Sequence, residues 1–290
     1  MTKIISSLAE ISDRYDALFC DLWGCVHDGV TPFQPAITAM QAFRKKGGTV
    51  MLVTNAPRPC HPVQHQLEHI GVPANAYDGI ATSGDSARAA MFSGAIGKKV
   101  FMIGQPHDQV FFSPLDLIKD PIQITQVPLE KAEGIVCCGP FDPMANPEEM
   151  RPQLLLAKTK GLKLLCANPD VVVDRGETRE WCAGALAKLY TEMGGESLYL
   201  GKPHPPIYDL ARKRLVALGK AISDNRILCV GDGITTDISG AMGEGLDSLF
   251  ITGGLAAAET KTVEQPDPKA LKAYLDAEMI SATYSIGKFR

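Results

Sequence analysis

Four short apolar runs in this sequence each end in residues able to do chemistry. ALFC (17–20) is followed by Asp21, and MLV (51–53) by Thr54 and Asn55. SLYL (197–200) is followed by Gly201, Lys202 and Pro203, and ILCV (227–230) by Gly231, Asp232 and Gly233, with Asp237 five residues beyond Asp232. Two or three carboxylates, one lysine and one hydroxyl make a coherent donor set. Hard oxygen ligands suit Mg²⁺, which takes few protein carboxylates and keeps its waters. A lysine and a hydroxyl beside them suit a phosphate group. Singly, each residue has a plainer role: an aspartate after a strand often caps the next helix, and Gly-Asp-Gly is a common turn. The ordered set carries the argument.

Such residues converge only if the four runs are strands of one sheet. Ligands of an open parallel sheet collect beyond the C-terminal ends of its strands. ALFCD, TVMLVTN (49–55), GIATSG (79–84), SLYLG (197–201), RILCVGDG (226–233) and SLFITGG (248–254) read as buried strands, the last being the final strand of the chain. Pro35–Lys46, His61–Ile70, Asp85–Phe92, Pro206–Leu218 and Thr235–Gly243 read as helices, with Pro35 in a first turn and Gly47 and Gly71 closing their helices. Continuous apolar strands alternating with helices imply a parallel sheet covered on both faces, a doubly wound α/β fold. Residues 95–196 repeat the theme with KKVFMIG, EGIVCCG and LKLLCAN, and read as an inserted α/β domain. The expected organisation is a core from 1–94 and 197–290 and an insert from 95–196.

LFCDLWGCVHDG (18–29), VMLVTNAPRP (50–59), DGIATSGDSA (78–87), CANPD (166–170), WCAGAL (181–186), LGKPHPPIY (200–208) and VGDGITTDISGAMGEG (230–245) run in order over nearly the whole chain. Together they resemble the haloacid dehalogenase (HAD) superfamily, in particular its class IIA branch of NagD-like and p-nitrophenyl-phosphatase-like hydrolases. The resemblance implies a Rossmann-like core with an inserted cap domain, and a Mg²⁺-dependent hydrolase of a small phosphorylated metabolite, sugar phosphates included. It makes Asp21 the nucleophile that forms an aspartyl-phosphate and a Mg²⁺ ligand. The backbone carbonyl of Trp23 and the carboxylate of Asp232 become further Mg²⁺ ligands, with Asp237 in support. Thr54 and the amide of Asn55 hold phosphoryl oxygens, and Lys202 neutralises charge. It also admits a cap-mediated homodimer.

One position departs from the family. The usual Asp-x-Asp-Gly is Asp21-Leu22-Trp23-Gly24 here. The second aspartate is the family's general acid and base, worth roughly 10²–10⁴-fold in rate. Three readings stay open: a leaving group that needs no proton, a donor from His27, Asp28 or the cap, or a protein that binds a phosphorylated ligand without turning it over.

Arg58 lies close enough to the second motif to meet a substrate anion. Asn168, Asp170, Arg175 and Glu177 follow a strand of the insert and are candidates for choosing the substrate, Asn168 first. His61, His65 and His69 recur every four residues beside Cys60. Along a helix they span about 12 Å, too far for one ion, so a polar face is expected. Cys25 reads as a packed thiol and Trp181 as core. With 45% hydrophobic and 21% charged residues and a net charge of −4 without blocks, the 290-residue chain has the balance of a soluble globular protein and no basic stripe for nucleic acid. No run reaches the ~18 apolar residues of a membrane span. Eight cysteines without a CxxC pair suggest a reducing, cytoplasmic setting.

Overall fold

ALFC, TVMLVT and ILCVG are buried at every position, so each is covered from both sides, as strands inside a parallel sheet must be. The structure is a computed structural model and describes residues 2–113, 118, 120–175 and 178–290. In chain order its strands are β1 (Lys3–Ile4), β2 (Ala17–Cys20), β3 (Thr49–Thr54), β4 (Gly79–Thr82), β5 (Lys99–Ile103), β6 (Thr125–Gln126), β7 (Gly134–Cys137) and β8 (Lys163–Cys166), then β9 (Val172–Arg175), β10 (Thr178–Trp181), β11 (Glu196–Tyr199), β12 (Ile227–Gly231), β13 (Asp247–Ile251) and β14 (Tyr284–Ile286). The helices are α1 (Gln34–Lys45), α2 (Cys60–His69), α3 (Ser83–Phe92), α4 (Arg151–Thr159), α5 (Ala183–Glu192), α6 (Pro205–Ala217), α7 (Ser239–Gly243) and α8 (Pro268–Ala277).

The chain divides into two compact units. The first comprises Met1–Thr54, Gln64–Ala81 and Lys202–Arg290, and the second Asn55–Val63 and Thr82–Gly201. The first holds a seven-stranded sheet in the order β1-β14-β13-β12-β2-β3-β4, parallel at every pairing from β1 to β3. From β2 the chain winds outward through β3 to β4. It later returns to the other side of β2 and winds outward through β12, β13 and β14. The direction of winding therefore reverses between β2 and β12, the place where such sheets open a crevice for ligands. Helix α1 turns Ala36, Ile37, Met40 and Phe43 inward, and Gly47 after its end adopts φ +98°, a conformation open to glycine. From α6, Ile207, Leu210, Ala211 and Leu215 pack with Phe19, Met51 and Cys229 of the strands. Asp267 caps α8 by accepting the amides of Lys269 and Ala270.

The second unit has its own five-stranded parallel sheet, β11-β8-β7-β5-β6, and an antiparallel hairpin of β9 and β10. Helices α4 and α5 bury Leu154, Ala157, Leu186, Leu189 and Tyr190 in its core.

Three expectations are corrected. SLYL, expected in the first sheet, is β11 and pairs with β8 in the second, Leu198 lying beside Leu165. Helix α3 buries Ala87 and Met91 against Val100, Val136 and Leu165 of the second unit. The units therefore divide at Ala81/Thr82 and Gly201/Lys202, with 55–63 also in the second, and not at 94/95 and 196/197. An apolar run states that a strand is buried but not which neighbour it hydrogen-bonds to. Finally, β13 is not the last strand: the three-residue β14, too short to show a pattern, fills the gap between β13 and β1. No helix among the described residues is long and apolar enough to cross a membrane.

Candidate active site

Asp21 directly follows β2, the strand at the reversal of the sheet. Its amide donates to the carbonyl of Val230 on β12 at 2.8 Å, which holds the end of β2 to the end of β12. Asp232 follows β12, and Thr54 is the last residue of β3 on the opposite side of β2. The carboxylates of Asp21 and Asp232 thus stand at adjacent strand ends because the register pairs Cys20 with Val230.

Lys202 arrives differently. It precedes α6, on the turn that leads into Pro205, and does not end a strand of this sheet. Its ammonium donates to Asp21 Oδ1 at 2.5 Å and to Asp237 Oδ1 at 2.7 Å, and all three side chains are buried. Burial alone would lower the lysine pKa, but the two carboxylates outweigh it and hold the pKa well above the usual value.

Asp237 is aimed by a local device. The expected helix Thr235–Gly243 begins as one π-helical turn, Ile234–Ile238, before continuing as α7. Asp237 Oδ2 accepts the Gly233 amide at 3.1 Å. A Cβ on Gly231 would lie 2.1 Å from the Asp237 carboxyl carbon, so the carboxylate folds back over a residue that must lack a side chain. Burial pushes the Asp237 pKa up to about 6, against the pull of Lys202.

Asp232 sits between two further glycines. A Cβ on Gly24 would come within 2.2 Å of its Oδ2 and one on Gly254 within 2.1 Å. The Leu255 amide donates to the same oxygen at 3.3 Å. Burial, then repulsion from Asp21 and Asp237, drives the Asp232 pKa well above the carboxylate range. Cys25 completes the group: one ligand atom each from Asp21, Cys25 and Asp232 lies within 4.8 Å of the others. Burial and the two carboxylates raise its thiol pKa well above normal. Three buried carboxyl groups crowd one ammonium, so ionising all three would leave two surplus negative charges. That surplus, in a pocket of hard oxygen donors kept open by glycines, fits a divalent cation.

The loop after Asp21 turns back on itself through Gly24, at φ +75°, whose amide donates to the His27 carbonyl at 2.9 Å. Trp23 is half-buried. Its ring stands edge to face with the His27 imidazole, centroids 5.3 Å apart, and covers Gly29, where a Cβ would be 2.4 Å from Cη2.

Asn55, Arg58 and Asn168 belong to the second unit. Asn55 is buried and donates through Nδ2 to Asp170 Oδ1 at 2.8 Å. Asn168 is buried too, and its Oδ1 accepts the Asp170 amide at 3.0 Å, which shapes the Asn-Pro-Asp turn. Arg58 is half-buried. Glu177 and the side chain of Arg175 lie outside the described residues. His61, His65 and His69 are exposed on α2 while Val63 and Leu67 turn inward, a polar face as expected. Trp181, expected in the core, is 36% exposed because it ends the hairpin strand β10. Sequence reasoning missed the crowding of Asp232 by Gly254; the Gly253-Gly254 pair after β13 was the available signal.

A doubly wound parallel sheet with clustered carboxylates and a lysine at its reversal is a Rossmann-like α/β scaffold with its polar site at the switch point. The chain matches the haloacid dehalogenase-like hydrolase model over residues 18–117 and a second HAD-hydrolase-like model over residues 199–276. It is 39% identical to a haloacid dehalogenase-like hydrolase from Brucella suis, whose crystal structure superposes with a TM-score of 0.84 over 99% of this chain and 100% of that one. The protein belongs to the haloacid dehalogenase-like hydrolase family. It is also 26% identical over 268 residues to a D-glycerol 3-phosphate phosphatase from Mycobacterium tuberculosis, spanning 89% of this chain and 69% of that protein. The crystal structure of a glycerol phosphate phosphatase from the same organism, in complex with magnesium, shares the fold at a TM-score of 0.64 and 22% identity, over 84% of this chain and 70% of that one.

Proposed function

We propose that the protein is a Mg²⁺-dependent phosphatase of small phosphorylated metabolites that works through an aspartyl-phosphate on Asp21. The observation that carries this reading is the buried Asp21–Lys202–Asp237 ion triad with Asp232 beside it. Phosphatase relatives and their magnesium complex support it. Asp21, Asp232 and the Trp23 carbonyl would hold the ion, with Asp237 in support. When bound, Mg²⁺ supplies positive charge to the phosphoryl oxygens.

The chain's own residues do the remaining work. Asp21, paired with Lys202, attacks phosphorus. Lys202 offsets the charge that gathers as nucleophile and phosphate approach. Thr54, at the end of the neighbouring strand, offers a hydroxyl to a phosphoryl oxygen, and Asn55 an amide. Asn168 and Arg58 act in substrate choice, with the second unit serving as the cap. A reducing, cytoplasmic setting belongs to the same reading, since all eight cysteines are free.

A phosphoenzyme trap tests the proposal. Acid quenching after brief incubation with ³²P-labelled acetyl phosphate and Mg²⁺ should leave a base-labile label on the protein. The label should vanish with EDTA and in Asp21→Asn. Ligand binding without labelling or phosphate release across a broad panel of phosphates would make the protein a binder, not an enzyme.

A further inference from the structure

The position two residues beyond Asp21 carries no acid, and its own loop supplies no replacement. Trp23 is packed down over Gly29 and against His27, so its indole is part of the loop wall. His27 is buried, and its Nδ1 accepts the Gly29 amide at 2.9 Å. That nitrogen is therefore the unprotonated one, already occupied by a backbone amide. Asp28 accepts the amides of Val30 at 2.9 Å and Thr31 at 2.6 Å. Those hydrogen bonds hold its carboxyl below the usual range, so it is an ionised turn-former with no proton to give. Lys202 is tied to two carboxylates.

We propose that the substrate is a phosphate compound whose leaving group departs as a stable anion, namely an aryl, enol or acyl phosphate, and that alkyl phosphates such as glycerol phosphate are poor substrates. This rests on the reading of Asp21 as nucleophile. In the first step an Asp21 oxygen bonds to phosphorus as the bond to the leaving oxygen breaks. The leaving group takes the electron pair and departs without a proton. In the second step water attacks the same phosphorus and the bond to Asp21 breaks. Both water protons stay on the released dihydrogen phosphate and Asp21 regains its carboxylate, so the balance needs no protein acid or base.

With no proton donor from that loop, the rate should follow leaving-group stability. The conjugate acids range from about 4 for a carboxylate to about 10 for a phenol. The decisive measurement is kcat/KM, which reports the step that expels the leaving group, for acetyl phosphate, p-nitrophenyl phosphate, phenyl phosphate and glycerol 3-phosphate with Mg²⁺. A steep fall along that series is expected, with the alkyl ester at least about 10²-fold below the aryl esters, the share a general acid normally contributes. Trp23→Asp should raise the ratio of glycerol 3-phosphate to acetyl phosphate turnover by about 10²–10⁴-fold. The wild-type series alone decides the matter if that variant does not fold. Turnover with a flat dependence would overturn this inference and leave the phosphatase reading standing. No turnover and no phosphoenzyme with any member would overturn both.

Discussion

Replacing Lys202 with methionine tests whether one ammonium holds the site's carboxylates together. The lysine lies 2.5 Å from Asp21 and 2.7 Å from Asp237, with its side chain only 4% exposed. At an effective dielectric of about 20, each contact represents about 6 kcal/mol of gross attraction, most of it offset by the cost of desolvating the ions. Removing the cation leaves both carboxylates buried without their shared counter-ion, a change that costs about 3–5 kcal/mol. Lys202→Met should therefore lose about 3–5 kcal/mol of unfolding free energy in EDTA. Adding Asp237→Asn removes one of the stranded charges. The double variant should recover about 1–3 kcal/mol relative to the sum of the single effects. Urea unfolding followed by Trp23 fluorescence, in a Trp181→Phe background, reports on the first unit. A loss below about 1 kcal/mol, or strict additivity in the cycle, would refute the reasoning, because it would mean that the carboxylates do not depend on the lysine.

Crowding Asp232 from its other side is a second test. Gly254→Ala puts a Cβ 2.1 Å from Asp232 Oδ2, and such overpacking costs about 1–3 kcal/mol. Calorimetric titration should show weakened Mn²⁺ or Mg²⁺ binding, and an unchanged affinity would contradict the placement of the ion. His27 predicts acid sensitivity. Its folded pKa of about 4 lies below the ordinary 6.5, so the unfolded chain takes up the proton first. Its contribution is complete above pH ~6.5 and is lost as the pH falls towards 4, about 3 kcal/mol in all. Denaturation midpoints of His27→Asn should fall less than wild type over that interval; parallel profiles would exclude His27 as the cause. Cys60 is half-buried while the other seven cysteines are buried, so mass spectrometry after brief iodoacetamide treatment of the native protein should find Cys60 modified first. Earlier labelling of Cys25 would mean that the 22–29 loop opens.

Much of the site was legible because its residues sit where chain chemistry changes abruptly. Asp21 and Asp232 interrupt fully apolar strands, and Asp237 follows Gly-Asp-Gly at short range. Lys202 was found through a mistaken premise: it follows an apolar run, but that run pairs with β8 in the other sheet. Sheet membership depends on hydrogen-bond partners far away in sequence, and SLYL has the same pattern whichever sheet it joins. The path of the 22–29 loop was also hidden. That Trp23 would lie on Gly29, and that Cys25 would stand beside two carboxylates, depends on the left-handed turn at Gly24 and on the return of His27 to it. Asn168 was named for its type, and what the structure adds is its local bond to the Asp170 amide. The boundaries at 94 and 197 failed because an amphipathic helix such as α3 declares a buried face without naming the sheet it will cover.

The single wide turn at Ile234–Ile238 carries a consequence about length. A π-turn holds one residue more than an α-turn, and an α-helix advances about 100° per residue. Deleting one residue there would let the segment relax into α-helix and rotate the Asp237 carboxylate away from Lys202. Conservative exchanges at Thr235 or Thr236 leave that phase intact. Along this stretch the number of residues is a stricter requirement than their identity, and insertions or deletions should be far less tolerated than substitutions.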